Sequence, residues 1–148
     1  MKIIHAVHPE DFVKYNTQQI RDKFLVDKLV EAGKINCVYT HYDRMIVGAA
    51  TPTSTLKLET YDQLKTDHFL DRREMGIINI GATGSIQVDG EKFSLDKLDC
   101  LYIGKGKKEI IFEGNGAKFI FFSCPAHAEY PVQLMKTVDA TPAEMGGA

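Results

Sequence analysis

The chain has 148 residues, of which 44% are hydrophobic and 26% are charged, and its formal net charge is -2. This composition is typical of one globular domain with a buried core, and the near-neutral charge argues against nucleic-acid or membrane partners. No apolar run reaches the ~20 residues of a membrane span, and the N-terminus lacks the pattern of a signal peptide, so we expect a cytoplasmic protein.

The first predicted element is an amphipathic helix over residues 17–31. Asn16 can cap its N-terminus and Gln19 occupies the third helical position, which together make a weak capping box. Gly33 can end the helix. Apolar residues recur at helical spacing and predict a face that packs on a neighbouring β domain, namely Ile20, Phe24 and Leu25.

From residue 35 onward, short apolar runs alternate with turn residues, a pattern typical of an antiparallel sandwich or barrel. Asp89-Gly90 predicts a two-residue hairpin of type I′, because glycine readily adopts the positive φ that this turn requires. Tyr42-Asp43 predicts a polar turn, and residues 56–67 are predicted to be irregular with one short strand. The predicted strands cover residues 35–41, 44–50, 77–81, 85–88, 91–95, 99–103, 109–112 and 118–123.

These elements divide the chain into an N-terminal helical segment (1–34), a β-barrel (35–134) and a flexible tail (135–148). The predicted fold class is mainly β, an antiparallel barrel with one N-terminal helix packed on it. The cysteines are odd in number and form no C-x-x-C pair, which predicts free, partly buried thiols rather than disulfides: Cys37, Cys100 and Cys124.

The segment from Leu70 to Gly106 carries a more specific pattern. It contains Leu-Asp-Arg-Arg-Glu-x-Gly-x-Ile-Asn-Ile-Gly, then Val-Asp-Gly, then Leu-Tyr-Ile-Gly-Lys-Gly. With further matching pieces at 21–25, 38–48 and 125–131, it resembles the N-terminal half of the 5-keto-4-deoxyuronate isomerases, also called 4-deoxy-L-threo-5-hexosulose-uronate ketol-isomerases. The resemblance covers nearly the whole chain.

The resemblance implies a cupin-type barrel (a double-stranded β-helix) in a cytoplasmic, hexameric enzyme of pectin and uronate breakdown. It implies a zinc-dependent interconversion of a uronate-derived keto-aldehyde with its ketose isomer. Family members are roughly twice as long, and their zinc ligands form a His-x-His-x-x-x-x-Glu motif with a later His in the C-terminal half. No position here matches that motif, so the resemblance implies a separate C-terminal catalytic cupin domain as the partner of this half.

The histidines support the same expectation. A cupin metal site needs imidazoles two residues apart on one strand, because alternate residues face the barrel interior together. No His-x-His occurs among the five histidines, which are His5, His8, His41, His68 and His127. We therefore expect each histidine to be a surface or hydrogen-bonded residue and this chain to contain no metal site.

Ketol isomerisation needs a base that moves a proton and an electrophile that stabilises an enediolate. A substrate carboxylate suits the planar fork of arginine. The candidate catalytic residues are Arg73, Glu74 and His127, and the candidate substrate-binding residues are Arg44 and Arg72. Adjacent Arg72 and Arg73 point to opposite faces of a strand, so at most one can enter the barrel; the alternative for this run is a salt-bridged strand entrance or a subunit contact.

Two other segments favour structural roles. Gly104-Lys105-Gly106-Lys107-Lys108 precedes a predicted strand, so it is predicted to be a turn with exposed lysines and not a phosphate-binding loop. The lysines are too few for a nucleic-acid face. An apolar strand is predicted to place its aromatic residues in the core, namely Phe119, Phe121 and Phe122.

Three functions remain open from the sequence. The first is a metal-free N-terminal half that scaffolds a catalytic half and helps to form the oligomer. The second is a free-standing sugar-acid-binding module that uses Arg44, Arg72 or Arg73 in the barrel interior. The third is an independent isomerase built on Arg73, Glu74 and His127.

Overall fold

The structure is a computed structural model that describes residues 1–143, 145 and 146. Part of the predicted tail, at residues 144, 147 and 148, lies outside these described residues. No helix in the described part is long and apolar enough to cross a membrane.

Eleven β-strands in two sheets dominate the described residues, in the order β1-β2-β3-β10-β5-β8-β11 for the larger sheet and β4-β9-β6-β7 for the smaller. Two short helices, α1 (Pro9–Phe12) and α2 (Thr17–Phe24), precede most of them. The strands are β1 (Lys2–Ile4), β2 (Lys34–Thr40), β3 (Ile46–Thr51), β4 (Leu56–Lys57), β5 (Arg73–Asn79), β6 (Gly84–Val88), β7 (Glu91–Leu95), β8 (Cys100–Ile103), β9 (Ile110–Glu113), β10 (Phe119–Pro125) and β11 (Gln133–Met135).

The core lies between the two sheets, because alternate residues of each strand point inward. The larger sheet contributes Ile46, Ile77 and Phe121, and the smaller sheet contributes Ile86 and Phe112, all 3% exposed or less. Every described strand pair is antiparallel except β1 with β2. The predicted mainly β barrel is confirmed, with the correction that β1, which the sequence did not predict, joins β2 in parallel.

The β6–β7 hairpin is the turn that the sequence specified best. Asp89 and Gly90 have φ values of 48° and 90°, as a type I′ turn requires. The Asp89 carboxylate also accepts hydrogen bonds from the backbone N–H groups of Lys108 (2.9 Å) and Glu109 (2.8 Å). The hairpin prediction is confirmed, and these bonds tie it to the start of β9.

The N-terminal helix is shorter than predicted. The Asn16–Gln19 capping box forms in both directions at 2.9 Å, as predicted. However, α2 ends at Phe24 and not near Gly33, because the backbone is extended at Leu25 (φ -89°, ψ 125°). Further on, Lys28 has a φ of 59° and the Asn36 side chain bonds the Leu29 carbonyl at 3.0 Å, so the segment does not return to a helix. The three apolar residues of the predicted packing face are also less buried than expected, with exposed fractions of 36% for Ile20, 43% for Phe24 and 37% for Leu25.

The region after residue 134 begins with an anchored segment. Met135 still belongs to β11, and Thr137–Asp139 form a 3-10 turn. Asp99, which is 2% exposed, accepts hydrogen bonds from Lys136 Nζ and from the Thr137 N–H, both at 2.8 Å. The prediction of a tail from residue 135 is therefore wrong for its first residues, because the buried carboxylate of Asp99 holds Lys136 and Thr137, which follow it by 37 and 38 positions.

Candidate functional site

A pocket with a mixed polar and apolar lining opens where β5 begins. We call it the arginine pocket. Its volume is about 190 Å³. It is lined by Tyr39, Arg44, Gln63, Leu64, Thr66, Phe69, Arg72, Arg73 and Pro125. The structure thus brings together all three arginines that the sequence singled out.

Arg73 is the buried member of the arginine pocket, at 6% exposed. Its Nη2 donates hydrogen bonds to the carbonyls of Arg44 (2.6 Å) and Ser123 (2.7 Å), and its Nε donates to Ser123 Oγ (3.1 Å). Its guanidinium carbon lies 5.9 Å from the centre of the Tyr39 ring. Burial lowers the pKa of Arg73 from its usual value, although an arginine stays charged in proteins. The prediction that at most one of the paired arginines enters the barrel is confirmed.

Arg44 belongs to a strained turn between β2 and β3. Asp43 and Arg44 have φ values of 51° and 54°, and the Met45 N–H donates to the Tyr42 carbonyl at 3.1 Å. A left-handed backbone is unfavourable for a bulky residue such as arginine. The predicted turn is therefore shifted by one residue, and β3 begins at Ile46 and not at residue 44. The bond from Arg73 to the Arg44 carbonyl holds this turn.

Arg72 lies just before β5 and is exposed at the rim of the arginine pocket. Within the described part of the chain, none of the three arginines has a carboxylate ion-pair partner. The predicted salt-bridged entrance is therefore not what these residues form. Three arginine charges with no acidic partner among the described residues make the pocket suited to a carboxylate ligand.

The arginine pocket does not fit a zinc ion. Its lining offers guanidinium, phenol, amide and hydroxyl groups, and none of its residues is His, Cys, Asp or Glu. Across the described residues, no group of three or more such side chains is arranged to hold a metal. We derive no catalytic step through zinc in this half, and the absence of a metal site here stays a prediction.

Glu74 points away from the arginine pocket, to the outer side of the larger sheet. Its carboxylate accepts hydrogen bonds from Tyr102 Oη at 2.7 Å and from the Cys124 thiol at 3.6 Å. Burial and then the Glu74 carboxylate raise the pKa of Tyr102 to about 12, and the same two causes raise the pKa of Cys124. Because neighbouring strand residues face opposite ways, Arg73 and Glu74 do not form one site.

His127 does not join either group. It is exposed in the loop after β10, where its carbonyl accepts a hydrogen bond from Lys105 Nζ at 3.2 Å. The structure therefore separates Arg73, Glu74 and His127, the residues proposed for an independent isomerase. The catalytic role of each one stays a prediction, but they are not arranged as a single catalytic group.

Several lining residues of the arginine pocket were missed by sequence reasoning. Tyr39 lies on β2, while Gln63 and Thr66 lie in the irregular segment before β5. For Gln63 and Thr66 the only signal was polarity, which is ordinary outside strands, and Tyr39 gave no signal beyond its place in a predicted strand. Ser123, the main partner of Arg73, is 1% exposed and 50 positions away in the chain, so only the β5–β10 register brings the pair together.

Known proteins are similar in sequence to this chain over nearly its whole length. Residues 24–148 match the model of the KduI/IolB family. A relative from Halalkalibacterium halodurans is 46% identical over 96% of this chain and 53% of its own length. One from Caldicellulosiruptor bescii is 49% identical over 95% of this chain and 54% of its own length. Both are named 4-deoxy-L-threo-5-hexosulose-uronate ketol-isomerase, so the resemblance read from Leu70–Gly106 is confirmed. The chain spans about half the length of these relatives.

Solved structures support the fold. A Pseudomonas syringae protein of unknown function in the DUF861 family matches with a TM-score of 0.51 and 12% identity, covering 83% of this chain and 54% of that protein. A cupin-2 domain protein from Shewanella frigidimarina is also similar, with a TM-score of 0.41 and 14% identity over 82% of this chain and 95% of that protein. The two sheets of the structure confirm the predicted mainly β fold, and the likeness to the Pseudomonas syringae protein agrees with it.

Proposed function

This chain belongs to the KduI/IolB family, and we propose that it is the N-terminal half of a 4-deoxy-L-threo-5-hexosulose-uronate ketol-isomerase. One observation carries the proposal. The identity of 46% extends over 96% of this chain but over only 53% of the relative. The match therefore covers about half of the relative's length, and the reaction of the whole relative is proposed for the assembled enzyme.

In this proposal, the present half is a framework and the complementary half performs the chemistry. The complementary half supplies the zinc ligands that the family resemblance implies, and the zinc polarises the substrate carbonyl when bound. The assembled enzyme interconverts a uronate-derived keto-aldehyde and its ketose isomer in the cytoplasm, during pectin breakdown. By the same resemblance, it forms a hexamer.

The arginine pocket supports the framework role. Its lining contains no carboxylate, imidazole or thiol that could move a proton at the pH of the cell. The most buried arginine, Arg73, already donates three hydrogen bonds to the protein itself. Positive charge without a base can bind an acid, but it cannot catalyse a ketol isomerisation.

A split-enzyme assay tests the proposal. This chain is expressed alone, and also together with the portion of the Caldicellulosiruptor bescii relative that the chain does not cover. We expect no isomerase turnover from this chain alone, and turnover in the mixture that depends on zinc. Turnover by this chain alone would contradict the framework role, and a mixture that stays inactive although both parts are folded would contradict the assignment to the enzyme.

A second function, binding of a sugar acid, is favoured by the three arginines that line one pocket. Calorimetric titration with galacturonate tests it, with galactose as the uncharged control. We expect millimolar binding of the acid, no binding of the neutral sugar, and a loss of about fivefold in affinity in Arg72→Gln. Equal heats for both sugars, or no heat with either, would remove this function.

A further inference from the structure

The outer side of the larger sheet carries apolar residues where a solvated sheet would carry polar ones. We define the outer apolar face by Gly76, Ile78, Cys100, Phe122 and Met135, which surround a depression of about 210 Å³. Phe122 is 47% exposed and Met135 is 50% exposed. The prediction that Phe122 lies in the core is therefore wrong, because its neighbours Phe119 and Phe121 are the residues that point inward.

Strand register makes the outer apolar face continuous. Phe122 lies opposite Gly76 in the β10–β5 pair, and Gly76 lies opposite Tyr102 in the β5–β8 pair. In the next outward row, Ile78 lies opposite Ile120 and Cys100, and Met135 lies opposite Cys100. Four neighbouring strands thus present one apolar surface, with the Glu74–Tyr102–Cys124 hydrogen bonds at its border.

The shape of the outer apolar face is a ridge beside a hollow. Phe122 lies opposite Gly76, where an added Cβ would meet nothing within 4 Å among the described residues. Gly76 is also outside the positive-φ region, so neither its backbone nor its neighbours require glycine. A contact from another molecule that enters the hollow would explain both features.

The sequence of β10 agrees with burial on both sides. Residues 119–122 read Phe-Ile-Phe-Phe without alternation. A half-solvated antiparallel strand alternates apolar and polar residues, whereas a continuous apolar run is typical of a strand that is covered on both faces. The core covers the Phe119 and Phe121 side, and no described residue of this chain covers Phe122.

We infer that the outer apolar face is the docking surface for the second half of the enzyme, the portion of the curated relatives that this chain does not cover. The inference rests on the proposed function. The relatives hold nearly as many residues again beyond the matched part, and a permanent contact between two such halves is expected to be apolar and well packed. The expected contact is with an apolar sheet face that inserts a side chain above Gly76 and surrounds Phe122.

The test compares two exposed phenylalanines. Phe122→Glu alters the outer apolar face, and Phe12→Glu alters a phenylalanine of similar exposure, 43%, on α1. Each variant is mixed with the complementary portion of the Caldicellulosiruptor bescii relative, and affinity is measured by sedimentation velocity. We expect Phe122→Glu to raise the Kd about 100-fold and Phe12→Glu to leave it within threefold. Circular dichroism and an unchanged melting temperature confirm that each chain is folded.

Methionine oxidation gives a second readout with the unaltered chain. We expect Met135 to become at least fivefold slower to oxidise in the mixture, while Met45, 37% exposed in the β2–β3 turn, keeps its rate. A Phe122→Glu chain that binds like the unaltered one, or a Met135 whose rate is unchanged in the complex, would overturn the docking surface.

The outcomes separate this inference from the proposed function. Turnover in the mixture that is insensitive to Phe122→Glu would keep the enzyme assignment and overturn the docking surface. Folded halves that neither bind nor turn over substrate would overturn both. Self-association of this chain through Phe122, with no binding of the complementary half, would make a second copy the occupant and would also overturn the inference.

Discussion

The inner side of β5 packs in the core, whereas its outer side belongs to the outer apolar face, which we propose docks a partner. The inward residues Arg73, Met75, Ile77 and Asn79 are all buried, at 6%, 1%, 3% and 0% exposed. The outward residues Glu74, Gly76 and Ile78 are not buried. One strand therefore has two separable properties. Inward substitutions should change the free energy of unfolding, and outward substitutions should change the association of this chain with the second half.

The two glycines at positions 76 and 81 give the largest expected contrast. A Cβ added at Gly81 would lie 2.5 Å from both the Gly116 carbonyl oxygen and the Lys118 amide nitrogen, whereas one at Gly76 would meet open space. We expect Gly81→Ala to lower the free energy of unfolding by more than about 3 kcal/mol and Gly76→Ala to change it by less than about 0.5 kcal/mol. Urea denaturation measures both values, and equal values would contradict the contrast.

The adjacent arginines give the next contrast. Arg73→Met removes three hydrogen bonds and leaves buried carbonyls without a donor, so we expect a loss of about 2–4 kcal/mol. Arg72→Met, at the exposed rim, is the matched control and should change stability by less than about 0.5 kcal/mol. The comparison is made by chemical denaturation at neutral pH. A loss in Arg72→Met as large as that in Arg73→Met would break the proposed division between interior and rim.

Asp99 is a buried carboxylate whose hydrogen bonds hold Lys136 and Thr137, next to the β11 edge of the outer apolar face. Burial raises the pKa of Asp99, but hydrogen bonds from Lys136 Nζ and from the N–H groups of Thr137 and Asp96 outweigh it and lower the pKa to about 2. Because the folded pKa is below the usual value, this stabilisation is present above pH ~4 and is lost as the pH falls through about 2.

We therefore expect Asp99→Asn to cost about 1–3 kcal/mol at pH 7 and progressively less below pH ~4. Denaturation at a series of pH values measures the difference between the two chains. Asp139→Asn serves as the control and should have little effect, because Asp139 is an exposed acid in the 3-10 turn that Asp99 holds. A cost that stays constant down to pH 2 would assign the effect to packing and not to the charge.

The smallest effect is expected on the outward side of β5, at Glu74. Removing its charge in Glu74→Gln should lower the pKa of Tyr102 from about 12 toward the ordinary value near 10, while burial keeps it partly raised. Stability should change by less than about 1 kcal/mol. The change in tyrosinate absorbance with pH, after subtraction of the curve for Tyr102→Phe, measures the pKa of Tyr102. An unchanged pKa would show that the carboxylate does not act on Tyr102.

Local chemistry made much of the fold predictable. The Asp89-Gly90 turn and the Asn16 cap each depend on a few neighbouring residues, and each formed as expected. The strand predicted over residues 77–81 is shifted, since β5 covers Arg73–Asn79. The helix end was predicted too late, because the backbone becomes extended at Leu25 although the helical spacing of apolar residues continues. The turn was predicted at Tyr42-Asp43 but lies at Asp43-Arg44. The amino-acid sequence does not indicate that an arginine will adopt a left-handed backbone.

The candidate site was predictable only in its residue types. The sequence pointed to Arg44, Arg72 and Arg73, and the structure brings them to one pocket. Their contacts depend on strand order, since Arg44 lies 29 positions and Ser123 lies 50 positions from Arg73. For Phe122, a continuous apolar run was interpreted as core, although the same run also fits a face covered by a second molecule.

The most direct test of the proposed docking surface is an isomerase assay in which the complementary half is titrated with this chain. The complementary half is held at a fixed concentration while this chain is added, either unaltered or as Phe122→Glu. We expect a saturable rise in isomerase activity with the unaltered chain, and the same plateau with the Phe122→Glu chain at an about 100-fold higher concentration of that chain. Superimposable curves, or turnover that needs no complementary half, would contradict it.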